Sequence, residues 1–290
     1  MSALNKKSFL TYLKEGGIYV VLLVLLAIII FQDPTFLSLL NLSNILTQSS
    51  VRIIIALGVA GLIVTQGTDL SAGRQVGLAA VVAATLLQSM DNANKVFPEM
   101  ATMPIALVIL IVCAIGAVIG LINGLIIAYL NVTPFITTLG TMIIVYGINS
   151  LYYDFVGASP ISGFDSGFST FAQGFVALGS FRLSYITFYA LSGVFYAFGG
   201  MLEAGRIGSA TNNLGFMYEL DAIAACVVGG VSFSGGVGTV IGVVTGVIIF
   251  TVINYGLTYI GVNPYWQYII KGAIIIFAVA LDSLKYARKK

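Results

Sequence analysis

Apolar residues in this chain form long runs, separated by short polar or glycine- and proline-rich segments. A helix needs about 20 mostly apolar residues to cross a bilayer, and nine segments approach that length. They are residues 17–36, 51–65 (a short one), 73–90, 105–130, 135–153, 182–204, 217–233, 237–259 and 264–281. No segment alternates apolar and polar residues over the length that a membrane strand requires. Because lipid offers no partner to backbone polar groups, the pattern predicts an all-α, polytopic transmembrane helical bundle.

The composition supports this prediction. Hydrophobic residues make up 59% of the chain and charged residues only 8%, with a mean hydropathy of +1.03, whereas soluble domains carry about 25% charged residues. The formal net charge of +2 is too small for a nucleic-acid-binding surface. We expect residues 1–290 to form a single transmembrane domain.

Basic residues predict the orientation, because lysine and arginine accumulate on the cytoplasmic side. The first apolar run is not followed by a cleavage site of small residues, so we expect it to be kept as a span. The connection 154–181 carries Asp154 and Asp165 but no basic residue, as an outside loop should. Both termini are therefore expected in the cytoplasm, on the strength of Lys6, Lys7, Lys14, Lys285, Arg288, Lys289 and Lys290.

Nine spans conflict with two cytoplasmic termini, since an odd number of crossings leaves the ends on opposite sides. The run 182–204 resembles two span fragments joined between Ala190 and Leu191. We therefore expect about ten spans in the native chain, and a missing cytoplasmic segment between 190 and 191 that would leave a wide gap between these residues.

Two glycine runs suggest an internal repeat. Each run has spacing four, which lets helices approach closely in lipid, and each is followed by a proline–aromatic pair, Pro134-Phe135 or Pro264-Tyr265. Upstream of the runs stand Asp69-Leu-Ser-Ala and Glu219-Leu-Asp-Ala. Under a ten-span count these sets predict two inverted halves, an architecture of transporters. The predicted packing residues are Gly116, Gly120, Gly124, Gly238, Gly242 and Gly246.

The ionisable side chains argue against catalysis on this chain. It contains no histidine, no serine has an obvious lysine or acid partner, and Cys113 and Cys226 sit in apolar runs without a metal or disulfide motif. We expect no catalytic residues and no metal site. The acids Asp69, Glu203, Glu219 and Asp221 fall near predicted span ends, which weakens proton or sodium coupling. Arg206 could pair with Glu203 on one helix face, and the role of Lys271 stays open.

Three motifs carry a resemblance to a known family. Residues 66–73, QGTDLSAG, resemble the G-x-D-L-S-x-G signature of ABC permeases for ribose, xylose, arabinose and galactose. Residues 134–140, PFITTLG, resemble the P-F-I-x-T-L-G segment of that family, and residues 218–225 with 229–236 resemble its late glycine-rich motif. The chain is thus identified as a member of the monosaccharide ABC importer permease family.

This resemblance implies a function and a set of partners. The chain would be the permease subunit of an importer for a monosaccharide, galactose or methyl galactoside, in the bacterial cell inner membrane. It would form a homodimer, with a cytoplasmic ATP-binding subunit that carries ATP and Mg, and a periplasmic sugar-binding protein. Members of the family also carry a cytoplasmic loop that docks on the ATPase, and this chain lacks it at its expected place, Ala190–Leu191. The alternative is an ion-coupled secondary sugar transporter.

A neutral sugar needs amide and hydroxyl partners, so polar residues in the spans are candidates for its path. Each could equally hydrogen-bond a neighbouring helix, and Asp69 with Ser71 could cap a re-entrant turn. The predicted path residues are Gln48, Gln66, Asp69, Asn123, Thr137, Thr138 and Asn149.

Overall fold

The computed structural model of the chain describes residues 22–172, 185–232 and 235–286, and within them it is helical with one pair of very short strands. The basic residues at both termini, on which the predicted orientation depends, lie outside these ranges or have side chains that are not described. The elements are α1 (Leu22–Gln32), a 3-10 turn (Pro34–Leu37), α2 (Leu39–Val64), α3 (Ala72–Leu86), α4 (Ile105–Leu130), α5 (Pro134–Phe155), β1 (Ile161–Ser162), α6 (Ser166–Ala172), α7 (Tyr185–Ile207), β2 (Ser209–Ala210), α8 (Tyr218–Val228), α9 (Val240–Tyr259) and α10 (Pro264–Tyr286). The predicted all-α class is confirmed.

Four of the described helices, α2, α4, α5 and α9, are long and apolar enough to cross a membrane. Large apolar side chains are exposed along α4 and α5, for example Leu110 and Leu151, which are 67% and 73% exposed. In water such surface would be unfavourable, whereas in a bilayer it faces lipid tails.

Local sequence explains where the helices begin and end. Pro134 occupies the first turn of α5, where its missing N–H costs nothing. Thr239 caps α9, its side chain accepting a hydrogen bond from the backbone N–H of Gly242 at 3.0 Å. Asn131 ends α4 in the left-handed conformation, with φ of 52°, which asparagine tolerates better than most residues.

Two predicted spans need correction. The span 51–65 is part of a 26-residue helix that begins at Leu39, because the polar stretch before residue 51 continues the helix instead of connecting two helices. The span 217–233 contains only the 11-residue helix α8, since Gly229 and Gly230 follow it and Gly230 has a φ of +87° that ends a helix. At about 1.5 Å per residue, α8 is too short to cross a bilayer alone.

The chain divides into two compact units. Unit 1 comprises residues up to Ser50 together with those from Ile223 onward, and unit 2 comprises Val51–Ala222.

Unit 2 is built around α3, which is buried along most of its length. Gly116 of α4 and Gly193 of α7 bring two backbones together, and Gly200 of α7 lies on the backbone of Val76 in α3. Strand β1 pairs antiparallel with β2, with Ile161 opposite Ala210.

Unit 1 contains the second glycine contact. Gly242 of α9 lies against Gly229, just after α8, and Gly246 lies against Ala225 of α8. Gly256 faces the side chains of Ile29 and Phe36.

The predicted packing glycines differ in what they contact. Gly116, Gly242 and Gly246 make close contacts with other segments, and Gly120 and Gly124 are buried on α4. Gly238 is different, since it precedes the cap of α9 and is exposed. The helix begins after it, and its packing role stays a prediction. The two runs also contact different helices, α7 and α8, so the inverted repeat stays a prediction.

Helix α7 runs through Ala190 and Leu191 without interruption. The expectation of a wide gap between these residues is therefore not met, and in this chain they are consecutive residues of one helix.

Candidate transport site

The turn before α3 is closed by a buried carboxylate. One oxygen of Asp69 accepts hydrogen bonds from the backbone N–H of Ser71, at 2.8 Å, and from its hydroxyl, at 2.5 Å. Asp69 is 1% exposed and Ser71 is fully buried. An aspartate bonded to the backbone two residues on is a common turn-forming arrangement, so this part of the motif holds the start of α3.

Ser71 continues the network into neighbouring helices. Its hydroxyl oxygen accepts hydrogen bonds from the amides of Gln75, at 2.8 Å, and Asn123 of α4, at 3.3 Å. Thr141 of α5 donates to the amide oxygen of Asn123 at 2.5 Å. Ser71 and Asn123 together thereby join α3, α4 and α5.

Thr138 fixes the same turn from the side of α5. Its hydroxyl donates to the carbonyl of Pro134 at 2.8 Å and accepts the backbone N–H of Leu70 at 3.1 Å. The two signature segments at 66–73 and 134–140 are therefore in direct contact, which explains why both patterns occur in one chain.

Gly73 provides space for an acidic side chain. A Cβ placed on Gly73 would collide with the carboxylate of Glu219 in α8 and with the carbonyl of Gly215. Gly215 itself has a φ of +83°, a conformation that favours glycine. The second glycine of the G-x-D-L-S-x-G pattern thus lets the chain before α8 lie on α3.

A cluster of charged groups joins the C-terminal end of α7 to α8. Both oxygens of Glu203 accept hydrogen bonds from the Arg206 guanidinium at 2.8 Å, and Tyr218 donates to the same carboxylate at 2.6 Å. Arg52 of α2 pairs with Asp221 at 3.6 Å and stacks over the Tyr218 ring. The predicted Glu203–Arg206 ion pair is present.

Sequence reasoning missed two arginines of unit 2. The Arg74 guanidinium lies 4.3 Å from the Tyr146 ring centroid and 5.2 Å from that of Phe216. Arg74 and Arg52 both sit within apolar runs, and a charge there usually has a specific partner. Their position within apolar runs could have identified both arginines from the sequence.

The seven predicted path residues are distributed between the two units. Five of those in unit 2 are buried: Asp69, Asn123, Thr137, Thr138 and Asn149. Asn123 joins helices through its side chain, whereas the hydroxyl of Thr137 has no partner among the described residues. Gln66 is exposed, with a φ of 62°. Gln48 is half-buried on the part of α2 that belongs to unit 1.

Unit 1 contains a row of neutral polar side chains that are not among the seven predicted path residues. On α9, Thr251, Asn254, Tyr255 and Thr258 share one helix face by their spacing. The hydroxyl of Tyr255 donates to Asn41 at 2.7 Å and accepts from Asn44 at 3.2 Å, both on α2.

Part of this row lacks hydrogen-bond partners among the described residues. Both amide atoms of Asn254 and the hydroxyl of Thr251 are buried without one, as is the hydroxyl of Ser49 on α2. Each buried polar group without a partner lowers the stability of the fold by about 1–3 kcal/mol. Several such groups in one region therefore require an explanation. In the described ranges, no three cysteine, aspartate or glutamate side chains are grouped to hold a metal ion.

Comparison with known proteins identifies a family and close relatives. The model of the family described as branched-chain amino acid transport system / permease component matches residues 41–188 and 180–279. The galactose/methyl galactoside import permease protein of Escherichia coli (strain K12) is 86% identical, and that of Haemophilus influenzae 69%, each alignment covering 100% of both chains. The ribose import permease protein of Escherichia coli (strain K12) is 33% identical over 94% of this chain and 95% of its own length. No solved structure matches the chain.

The alignments with the two galactose/methyl galactoside permeases are longer than this chain. With the Escherichia coli and Haemophilus influenzae galactose/methyl galactoside permeases the alignment extends over 336 positions, 46 more than the 290 residues of this chain. The family model matches in two stretches that meet and overlap at residues 180–188.

Proposed function

Since the chain belongs to the family of branched-chain amino acid transport system / permease components, we propose that it is the membrane-spanning subunit of an ATP-driven importer for galactose or methyl galactoside. The observation that carries this proposal is the 86% identity to an import permease for these sugars along both full lengths. The ribose relatives support a monosaccharide and not the amino acids of the family's title.

The subunit would act with three partners. A cytoplasmic ATPase would bind ATP and Mg and supply the energy, and a periplasmic protein would deliver the sugar. A second copy of the chain would complete the path as a homodimer. The charged cluster of unit 2 supports a non-catalytic subunit, because Glu203 and Arg206 bind each other in bidentate geometry and such paired groups are poor candidates for chemistry.

The subunit would lie in the bacterial inner membrane with both termini in the cytoplasm. The basic residues of both terminal segments support this orientation. It would place the ends of α2 and α9 that carry Asn41 and Tyr255 toward the periplasm, the side from which the sugar arrives.

The polar row of unit 1 is the best candidate for sugar contact. Sugars are recognised by amides and hydroxyls together with an aromatic ring, and this row contains Asn254, Thr251 and Tyr255. The unsatisfied amide of Asn254 offers both a donor and an acceptor. Among the path residues predicted in unit 2, Asp69, Thr137 and Asn149 each also keep one buried polar atom without a partner in the described part of the chain, whereas Asn254 lacks partners at both of its amide atoms.

Uptake of radiolabelled methyl galactoside tests the proposal, in cells that lack their own permease. Uptake should require both the ATPase and the binding protein, and it should survive collapse of the proton gradient while ATP is maintained. The test uses the 290-residue chain itself, with the Escherichia coli permease as the positive control. If the chain imports no sugar while the control does, or if import follows the proton gradient without the ATPase, the proposed function is wrong.

A further inference from the structure

The first half of helix α2 has a polar side. In its second and third turns, Ser43, Asn44, Thr47 and Gln48 share one side of the helix by their spacing. Ser43 and Asn44 are exposed, and Thr47 and Gln48 are half-buried. These four residues form the α2 polar face, which belongs entirely to unit 1.

The α2 polar face lies at membrane depth. Helix α2 is long and apolar enough to cross a membrane, and its 26 residues extend about 39 Å, against a hydrocarbon core of about 30 Å. With the helix centred in the bilayer, about 4–5 Å at each end projects beyond the core. Ser43 and Gln48 are about 6 and 14 Å from the start of the helix, so the whole face lies within the core.

Lipid is a poor neighbour for this face, because it offers hydroxyl and amide groups no hydrogen-bond partner. The hydroxyl of Thr47 is satisfied within the helix, since it donates to the carbonyl of Ser43 at 2.9 Å. The amides of Asn44 and Gln48 each have several bonding positions. Asn44 uses one of them to donate to the hydroxyl of Tyr255 on α9, at 3.2 Å.

The adjacent side of α2 has the composition that suits lipid. Leu39, Leu42 and Leu46 are 85%, 43% and 54% exposed there. At one depth, the helix therefore has two exposed surfaces, of which only the leucine surface fits lipid tails. The α2 polar face requires water or polar groups against it instead.

The bond between Asn44 and Tyr255 connects the α2 polar face to the polar row of α9. Tyr255 stacks on Tyr259, with ring centroids 6.3 Å apart and ring planes 25° apart, and Tyr259 is 36% exposed. Next to Tyr255, Asn254 is 7% exposed, and both of its amide atoms lack partners among the described residues. Amides, hydroxyls and tyrosine rings thus adjoin one another from α2 to α9.

Two kinds of occupant could provide hydrogen bonds to this face, a second copy of the chain or water with a sugar. Close packing of a second copy is favoured by small residues, whereas the α2 polar face carries the two larger amides of Asn44 and Gln48. Amides and hydroxyls beside an aromatic ring are the groups that recognise sugars. The part of α2 that belongs to unit 1 has no charged residue, which suits a neutral solute and not an ion.

We propose that the α2 polar face lines a water-filled path for the sugar within the membrane, and that Asn44 joins it to the polar row of α9 at Tyr255. This step rests on the proposed function, which supplies the neutral sugar as the solute. Water bonds to the amides between transport events, and sugar hydroxyls replace it during passage.

Cysteine accessibility tests the path independently of transport. The parent chain carries Cys113→Ala and keeps Cys226, which is fully buried; its own reaction gives the background. The reagent is a small, charged methanethiosulfonate, which dissolves in water and not in lipid. Single cysteines are introduced at two polar and two leucine positions of similar depth: Asn44→Cys, Gln48→Cys, Leu42→Cys and Leu46→Cys.

The two polar positions should react roughly tenfold faster than the two leucine positions, because the reactive thiolate forms in water and not in lipid. Similar reaction at the polar and leucine positions, whether fast or slow, would overturn the proposal. Thr47→Cys is a further variant on the α2 polar face, for use where Asn44→Cys or Gln48→Cys does not accumulate in the membrane.

Uptake and cross-linking complete the test. Reaction at Gln48→Cys should reduce methyl galactoside uptake to background, because the attached group narrows the path, whereas Leu46→Cys should keep its uptake. Efficient cross-linking of two copies through Gln48→Cys by a short bis-maleimide, with slow reaction toward the charged reagent, would show that a second copy covers the face and would overturn the proposal. Fast reaction at the polar positions in a chain that imports no sugar would support the water-filled path and refute the proposed function.

Discussion

Gly116 of α4 and Gly193 of α7 face each other so closely that a Cβ on either one would collide with the carbonyl oxygen of the other. The contact is reciprocal and involves backbone on both sides, so no side-chain rotation can relieve it. It explains why the first glycine run contains a residue that a longer apolar side chain cannot replace.

Replacing Gly193 by alanine should destabilise unit 2. The added methyl group forces two helix backbones apart, and overpacking of this kind costs about 1–3 kcal/mol. The measurement is thermal unfolding of the detergent-solubilised protein. Gly140→Ala is the matched control, because Gly140 is helical and has nothing within 4 Å of the added Cβ. Equal stability of the two variants would contradict the contact.

The second glycine run allows a comparison within a single motif. Gly242→Ala should destabilise unit 1, because the new Cβ meets the backbone of Gly229, whereas Gly238→Ala should have little effect at an exposed site before α9. The amount of folded protein that survives solubilisation, at matched expression, distinguishes the variants. A larger loss from Gly238→Ala would show that α9 begins earlier than the structure places it.

Asp69 should stabilise the fold through the two hydrogen bonds that one of its oxygens accepts, and not through its negative charge. Asp69→Asn can still accept the bonds from Ser71, whereas Asp69→Ala removes both. We expect alanine to cost about 1–2 kcal/mol, as for loss of a helix cap, and asparagine to cost less. Unfolding midpoints of the two variants check this order, and equal losses would point to a role for the carboxylate charge.

The Glu203–Arg206 pair should depend on its forked geometry. Lysine at position 206 keeps the charge but cannot make two parallel bonds to one carboxylate, so Arg206→Lys should lower stability. Tyr218→Phe should lower it less, because a single bond is lost. In a double-mutant cycle the two changes should be non-additive, since both side chains bind the same carboxylate. Strict additivity would argue against a shared network.

Asn254 offers a way to separate sugar contact from packing. Its amide has no partner among the described residues, so Asn254→Leu leaves no new unsatisfied group and should not reduce stability. If the polar row contacts the sugar, the same variant should nevertheless lower methyl galactoside uptake. Lowered stability with unchanged uptake would instead show that Asn254 holds helices together.

The sequence predicted most helices well where proline, glycine or a long apolar run marks the ends. Helix α4 has the predicted bounds, and α5 and α10 begin within one residue of prediction because Pro134 and Pro264 start them. Helix α2 was underestimated, because its polar first half was taken for a connection while its backbone continues the helix.

The candidate site was harder to predict than the fold. Burial of Asp69 and Asn123 follows from three helices meeting at Ser71, and no spacing along one segment reveals such a meeting. Likewise, Gly193 resembles any glycine in an apolar run until α4 is placed beside it. The row on α9 could have been found from its helical spacing, but the missing partners of Asn254 are visible only in three dimensions.

Uptake of radiolabelled methyl galactoside by this chain is the measurement that tests the account most directly. Cells lacking their own permease would be compared with the ATPase and binding protein both present, and with each removed in turn. We predict uptake only when both partners are present, with loss to background when either is absent. Uptake that persists without the ATPase, or no uptake with both partners present, would contradict the assignment of this chain as the permease of an ATP-driven sugar importer.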